Sequence, residues 1–310
     1  MTIYNFLAEL EQHGYTVVPN IIPKNSCQVF IDSAWNWLES FPYDFRRDDR
    51  STWTEEHLPY EVKGGLYNRY LVNHEGFVWN IGTKPGIIKV FEEIWGMHDL
   101  IVSFDGMNAC QLIPNIDQNP HIFSQSELYQ AIANLSPNGP DDGGLVVLPG
   151  FHKLHQQHFD YLGGFRPEKD LGIGENGYDF LPEDAEWYRE HGCEEIKICA
   201  DQGDLILWDS RPIHWNANPT GKRTRLVTYV CYCPRDRMSE KDLGKKLDIF
   251  RAMKGTTHWP NINIIPAKRA NYARALPRQP DGRVDPANRT RPISEPEENQ
   301  EVMRLVGVRG

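Results

Sequence analysis

His214 and Arg225 are the two residues of this sequence best placed to do chemistry, and they flank one polar turn. They belong to the run Gly203 to Cys233, where two strand-like stretches, 204–208 and 225–233, enclose a turn holding Asn216, Asn218, Pro219 and Gly221. Side chains on a strand alternate between faces, so Arg225 shares one side with Val227, Tyr229, Cys231 and Cys233. An arginine among apolar neighbours needs an anion, because burying it unpaired is costly. A carboxylate gripped by both edges of the guanidinium is the natural partner. The plainer reading is a surface arginine at the start of a strand.

An imidazole at position 214 is a candidate metal ligand. Non-haem Fe(II) oxygenases hold their metal with two histidines and one carboxylate on one face, leaving positions for co-substrate and oxygen. In β folds the first histidine and the carboxylate stand two residues apart, so that strand alternation puts both on one side. Upstream of His214 the stretch Ile113 to Pro120 stands in the right place, but it reads Asn115-Ile116-Asp117 and not His-x-Asp. His121 lies two pleats beyond Asp117, too far to close a compact face without a bend. His152, His155 and His158 are spaced to gather on one helical face, yet with no carboxylate in register they read as a solvated turn. Asp141 and Asp142 belong to a turn, and Cys231 and Cys233 read as core packing.

The elements that must position these residues are short strands. From residue 100 onward the candidates are 100–104, 112–117, 128–135, 144–148, 196–200, 204–208 and 225–233, separated by dense turn chemistry such as Ser136 to Gly144. That punctuation indicates a sandwich or barrel, here a mainly β jelly roll with flanking helices. Helices are expected at 3–12, at 23–38 with its stripe of Phe30, Ile31, Ala34, Trp35 and Leu38, and at 85–96 behind Pro85. A further helix is expected at 240–253, after which prolines and arginines dominate an irregular arm packed on the same domain. Residues 1–234 would form the barrel with its N-terminal helices, 235–310 the helix and arm, and 160–193 an insertion over one mouth.

Composition excludes several classes. The chain has 310 residues, 40% hydrophobic and 25% charged, as in soluble globular proteins. A formal charge of -10 argues against nucleic acid and anionic membranes as partners. No apolar run reaches the roughly 18 residues that would span a bilayer. The cysteines at 27, 110, 193, 199, 231 and 233 are scattered without a Cys-x-x-Cys pair, which suits reduced residues and a cytoplasmic protein.

Four stretches together carry a family likeness: Gly14 to Val18, Ser103 to Asn108, Asn134 to Gly150 and Gly203 to Pro234. They resemble the phytanoyl-CoA dioxygenase family of Fe(II)/2-oxoglutarate oxygenases, particularly its fungal members, over most of residues 10–260. The resemblance implies a double-stranded β-helix, the cupin-like jelly roll, with Fe(II) and 2-oxoglutarate as cofactors. It places Asp117 as the carboxylate ligand, His214 as the distal histidine, Arg225 on the far carboxylate of 2-oxoglutarate and Asn216 beside it. Arg69 is a further candidate contact, with a surface ion pair as its alternative. The sequence departs from the family at Asn115, which stands where the first histidine ligand is expected, and at Phe151, where a small hydroxyl residue usually precedes His152. A neutral amide oxygen is a weaker donor to Fe(II) than imidazole.

Two functions follow. One is oxidation of a small organic substrate, such as a secondary metabolite, by hydroxylation or related C–H chemistry. The other is a degenerate member without redox chemistry: a binding or non-redox protein, or the partner subunit of an active homologue. Assembly as a homo- or hetero-oligomer is compatible with either.

Overall fold

A computed structural model describes residues 5–61, 64–110, 121–122, 128–164, 178–179, 181–211, 213–256, 258–261, 277 and 282–309. Its helices are α1 (Phe6–His13), α2 (Lys24–Glu39), α3 (Gly76–Gly82), α4 (Pro85–Trp95), α5 (Phe151–Tyr161), α6 (Pro182–Glu190), α7 (Glu240–Arg251) and α8 (Gln300–Val306). The strands are β1 (Tyr15–Val18), β2 (Leu66–Tyr67), β3 (Leu100–Val102), β4 (Met107–Cys110), β5 (His121–Ile122), β6 (Tyr129–Asn134) and β7 (Gly144–Val147). They continue with β8 (Tyr178–Asp179), β9 (Ile196–Lys197), β10 (Leu205–Asp209), β11 (His214–Ala217), β12 (Arg225–Val230) and β13 (Tyr232–Pro234).

One sheet has the order β1-β10-β6-β12-β4-β2 and faces a second of order β8-β5-β11-β7-β9, while β13 and β3 form a separate pair. Between β4 and β12 the chain passes back and forth from one large sheet to the other, and every pairing among the described strands is antiparallel. That crossing pattern is the double-stranded β-helix. Closing two sheets against each other leaves an interior lined by alternate residues of each strand. Ile132, Leu145, Val147, Ile198, Ile206, Trp208 and Val227 pack together there. The opposite face of the first sheet carries Ala131, Ala133, Leu205, Leu207 and Leu226, which join Phe30, Ala34, Trp37 and Leu38 of α2 in the main core. Helix α2 presents this face because Cys27, Phe30, Ala34 and Leu38 recur every three to four residues. Pro85 opens α4 and Gly96, in the left-handed conformation, closes it.

Beyond the barrel, Lys246 of α7 is fully buried and donates to the carbonyls of Val102 and Pro260. Asp285 accepts hydrogen bonds from the hydroxyls of Tyr43 and Tyr70, and Glu75 accepts from the backbone of Ile293 and Ser294.

Several expectations are corrected. The run 225–233 is not one strand: β12 pairs with β4 and β13 with β3. Between the rungs Met107–Thr228 and Val102–Tyr232, four residues on one side oppose three on the other, the count of a β-bulge. Cys233 packs with Tyr232 in the helix-facing core, whereas Val227 packs inside the barrel. Asn216 lies not in a turn but on β11, which pairs with β7. The histidine triplet is helical, and His158 is fully buried with its Nε2 3.3 Å from Asp184 Oδ1 of α6. The carboxylate absent from the local sequence comes from another element. The expected strand 112–117 lies outside the described residues.

Candidate active site

Arg225 is the first residue of β12 and is 1% exposed. Its backbone lies opposite Cys110, and strand alternation gives it the same face as Val227, inside the barrel. No carboxylate pairs with it among the described residues, and its Nε and Nη2 are buried without a hydrogen-bond partner. Burying an ionised group in this way costs several kcal/mol (about 1–3 kcal/mol for each unsatisfied donor, more for a charge), so the arrangement is one that awaits an anion.

Glycine makes room for it. At Gly144, φ is +101°, and a Cβ would lie 2.9 Å from Arg225 Nε and 3.1 Å from its Cζ. Both the backbone conformation and the packing therefore exclude a side chain. The same point lies 3.1 Å from Asn138 Nδ2. Further donors without partners line this interior: Trp208 Nε1 and Gln130 Nε2, whose residues face each other across β10 and β6. Among the described residues this lining of N–H groups includes no carboxylate, which suits a carboxylate-bearing ligand.

His214 opens β11 and is 5% exposed. Its ring lies 5.6 Å from that of Trp208, edge-on. Its backbone is in register with Val147 on one side and with His121 on the other. A second imidazole, His258, shares this neighbourhood: burial, and then the charge His214 can carry, push His258 down to about 3. Asn216 follows on the same face of β11, opposite Leu145 and half-buried.

No protein-family model matches the chain. Ava biosynthesis cluster protein O of Aspergillus versicolor is 31% identical over 266 residues, an alignment taking in 82% of this chain and 85% of that protein. A Dictyostelium discoideum protein named "Putative phytanoyl-CoA dioxygenase" is 24% identical over 274 residues, 72% of this chain and 73% of that one. The chain belongs to the phytanoyl-CoA dioxygenase family. Among solved structures, the epimerase SnoN in complex with Fe3+, alpha ketoglutarate and nogalamycin RO is 16% identical with a TM-score of 0.49, covering 74% of this chain and 82% of that one. EctD from S. alaskensis, in its apoform, is 14% identical with a TM-score of 0.47, covering 76% and 78%.

Within this member of the phytanoyl-CoA dioxygenase family, the expected site residues fare differently. His214, Asn216 and Arg225 all lie on inner-face positions of β11 and β12. Asn115 and Asp117 lie outside the described residues. Arg69 stacks its guanidinium over the Tyr60 ring at 4.5 Å. It follows β2 beyond the rung Tyr67–Met107–Thr228, on the side away from Arg225, so the structure does not join the two. The sequence reading missed Asn138, Gly144 and Gln130. Asn138 and Gly144 sit in or beside a stretch whose Pro, Asn and Gly read as turn chemistry, and only the packing of the two sheets brings them against Arg225.

Proposed function

We propose that this protein is an Fe(II)- and 2-oxoglutarate-dependent dioxygenase oxidising a C–H bond of a small organic substrate of the secondary-metabolite class. The observation that carries this reading is Arg225, a buried cation with two unpaired N–H groups packed against Gly144. A dicarboxylate co-substrate supplies the missing anion, and the guanidinium would hold its far end. His214 and Asp117 would ligate the iron, with Asn115 at the place of the first histidine, and Asn216 would border the co-substrate. Bound together, Fe(II) and 2-oxoglutarate supply the oxidant, with oxygen reduced as the oxo-acid yields succinate and carbon dioxide. The barrel's own part is to orient the co-substrate and keep its charged end away from water. The biosynthesis-cluster relative supports the substrate class. Arg69 is left out of this set because it lies beyond the rung Tyr67–Met107–Thr228, on the side away from Arg225.

The register of β5 favours a second reading of the metal ligands. His121 pairs directly with His214, and residues directly opposite on antiparallel strands are near neighbours. On this reading the second imidazole would come from His121 in place of Asn115. Anaerobic titration with Fe(II) and 2-oxoglutarate, followed by the visible absorbance of the chelate, tests both readings. The signal is expected in the wild type. Its loss in His121→Ala with retention in Asn115→Ala supports His121, and the reverse supports Asn115. No signal in the wild type or in Asn115→His would overturn the oxygenase reading in favour of a non-redox protein.

A further inference from the structure

Asn138 carries the site beyond Arg225. It is 2% exposed and held by a two-way backbone bridge to Ala200, with N–O distances of 2.9 and 3.0 Å. Lys197 Nζ donates to its Oδ1 at 2.6 Å, and also to the carbonyls of Gly139 at 3.0 Å and Ile198 at 2.9 Å. A lysine ammonium only donates, so the end of the amide facing it must be the oxygen. The Nδ2 end is thereby turned the other way, where it is buried with no partner. That end and Arg225 Nε lie 3.1 and 2.9 Å from the same point above Gly144. Two unpaired donors, one cationic and one polarised by a cation behind it, thus pack side by side against the same glycine.

We infer that Asn138 is a second donor to the far carboxylate of the anionic co-substrate, with Lys197 as the residue that orients and polarises it. This rests on the co-substrate reading above. An arginine alone fixes a carboxylate in the plane of its guanidinium, and a donor from a separate segment of the chain fixes its rotation. The pair would also select for dicarboxylic oxo-acids, since a monocarboxylic chain would leave both donors unpaired.

Anaerobic calorimetry on the Fe(II)-loaded full-length protein tests this with two ligands: 2-oxoglutarate, and 2-oxovalerate, which has the same oxo-acid head but a methyl group at the far end. The wild type is expected to prefer 2-oxoglutarate. Asn138→Leu should weaken 2-oxoglutarate by about 10- to 100-fold, the loss of one hydrogen bond to a charged group, and leave 2-oxovalerate unchanged. Lys197→Met should lower the same preference, whereas a merely structural role would weaken both ligands alike. Asn138→Asp keeps a partner for Lys197 and places a carboxylate beside Arg225, so it should fold and bind 2-oxoglutarate still more weakly. Wild-type affinity for 2-oxoglutarate in Asn138→Asp, or an unchanged preference in Asn138→Leu, overturns the inference. If Arg225→Met also leaves the preference intact, the co-substrate reading itself fails; if only the Asn138 variants do, Asn138 alone is wrong.

Discussion

Replacing Arg225 with methionine should move stability and ligand binding in opposite directions. Methionine keeps the length of the side chain and removes the charge. In the wild type the guanidinium is 1% exposed, with Nε and Nη2 unpaired. Exchange of buried ionic groups for apolar side chains of similar volume gains about 1–4 kcal/mol, so the ligand-free variant should melt a few degrees higher. Binding of 2-oxoglutarate should fall by far more. Two charge-assisted hydrogen bonds at about 1.5–3 kcal/mol each sum to about 3–6 kcal/mol, or roughly 10²- to 10⁴-fold in affinity. Thermal denaturation with and without 2-oxoglutarate reads both effects. At saturation the wild type gains RT ln(1 + [L]/Kd), about 2.7 kcal/mol at a hundredfold excess over Kd, and the variant should lose that gain. A ligand-free variant that melts lower, while keeping its full response to 2-oxoglutarate, would refute the view that Arg225 is an anion site held at the expense of stability.

Other perturbations have equally definite outcomes. His214→Ala should abolish the absorbance of the Fe(II)–2-oxoglutarate chelate without unfolding the protein, as checked by circular dichroism. Asp184→Ala removes the partner of buried His158 and the acceptor for the backbone N–H of Leu181, at 2.8 Å, at the start of α6. It should cost about 2–4 kcal/mol in denaturant unfolding, since a buried polar group is left behind and a cap is lost. His74 is fully buried, accepts from Trp79 Nε1 at Nδ1 and meets the Lys254 carbonyl with Nε2, and burial pushes its pKa down to about 4. Because the folded value lies below the usual 6.5, the unfolded chain binds the extra proton first. This contribution is therefore complete above pH 6.5 and is lost as pH falls toward 4. His74→Phe should flatten that stretch of the stability profile, by a difference on the order of 3 kcal/mol.

Much of the scaffold is legible from local chemistry. Strands at 128–135, 144–148 and 204–208 and helices behind Pro23 and Pro85 sit where periodicity and breakers put them, because those signals act within one element. The demand of Arg225 for an anion was legible too, since strand alternation next to apolar residues is a local property. The break between β12 and β13 was not: the extra residue lies in 103–106, and nothing in 225–233 records it. Nor could the sequence find the partner of His158, because Asp184 belongs to a helix separated from it in the chain.

What the sequence determined by itself is the alternation and punctuation of a jelly roll and the residue types able to bind a carboxylate and a metal. What only the tertiary structure decided is which of them meet. Gly144, Asn138 and Arg225 come from strands of two different sheets and a turn, and their convergence depends on how the two sheets pack face to face, which leaves no trace in either strand alone. The same holds for His121 and His214, which stand far apart in the chain and whose backbones antiparallel pairing sets side by side.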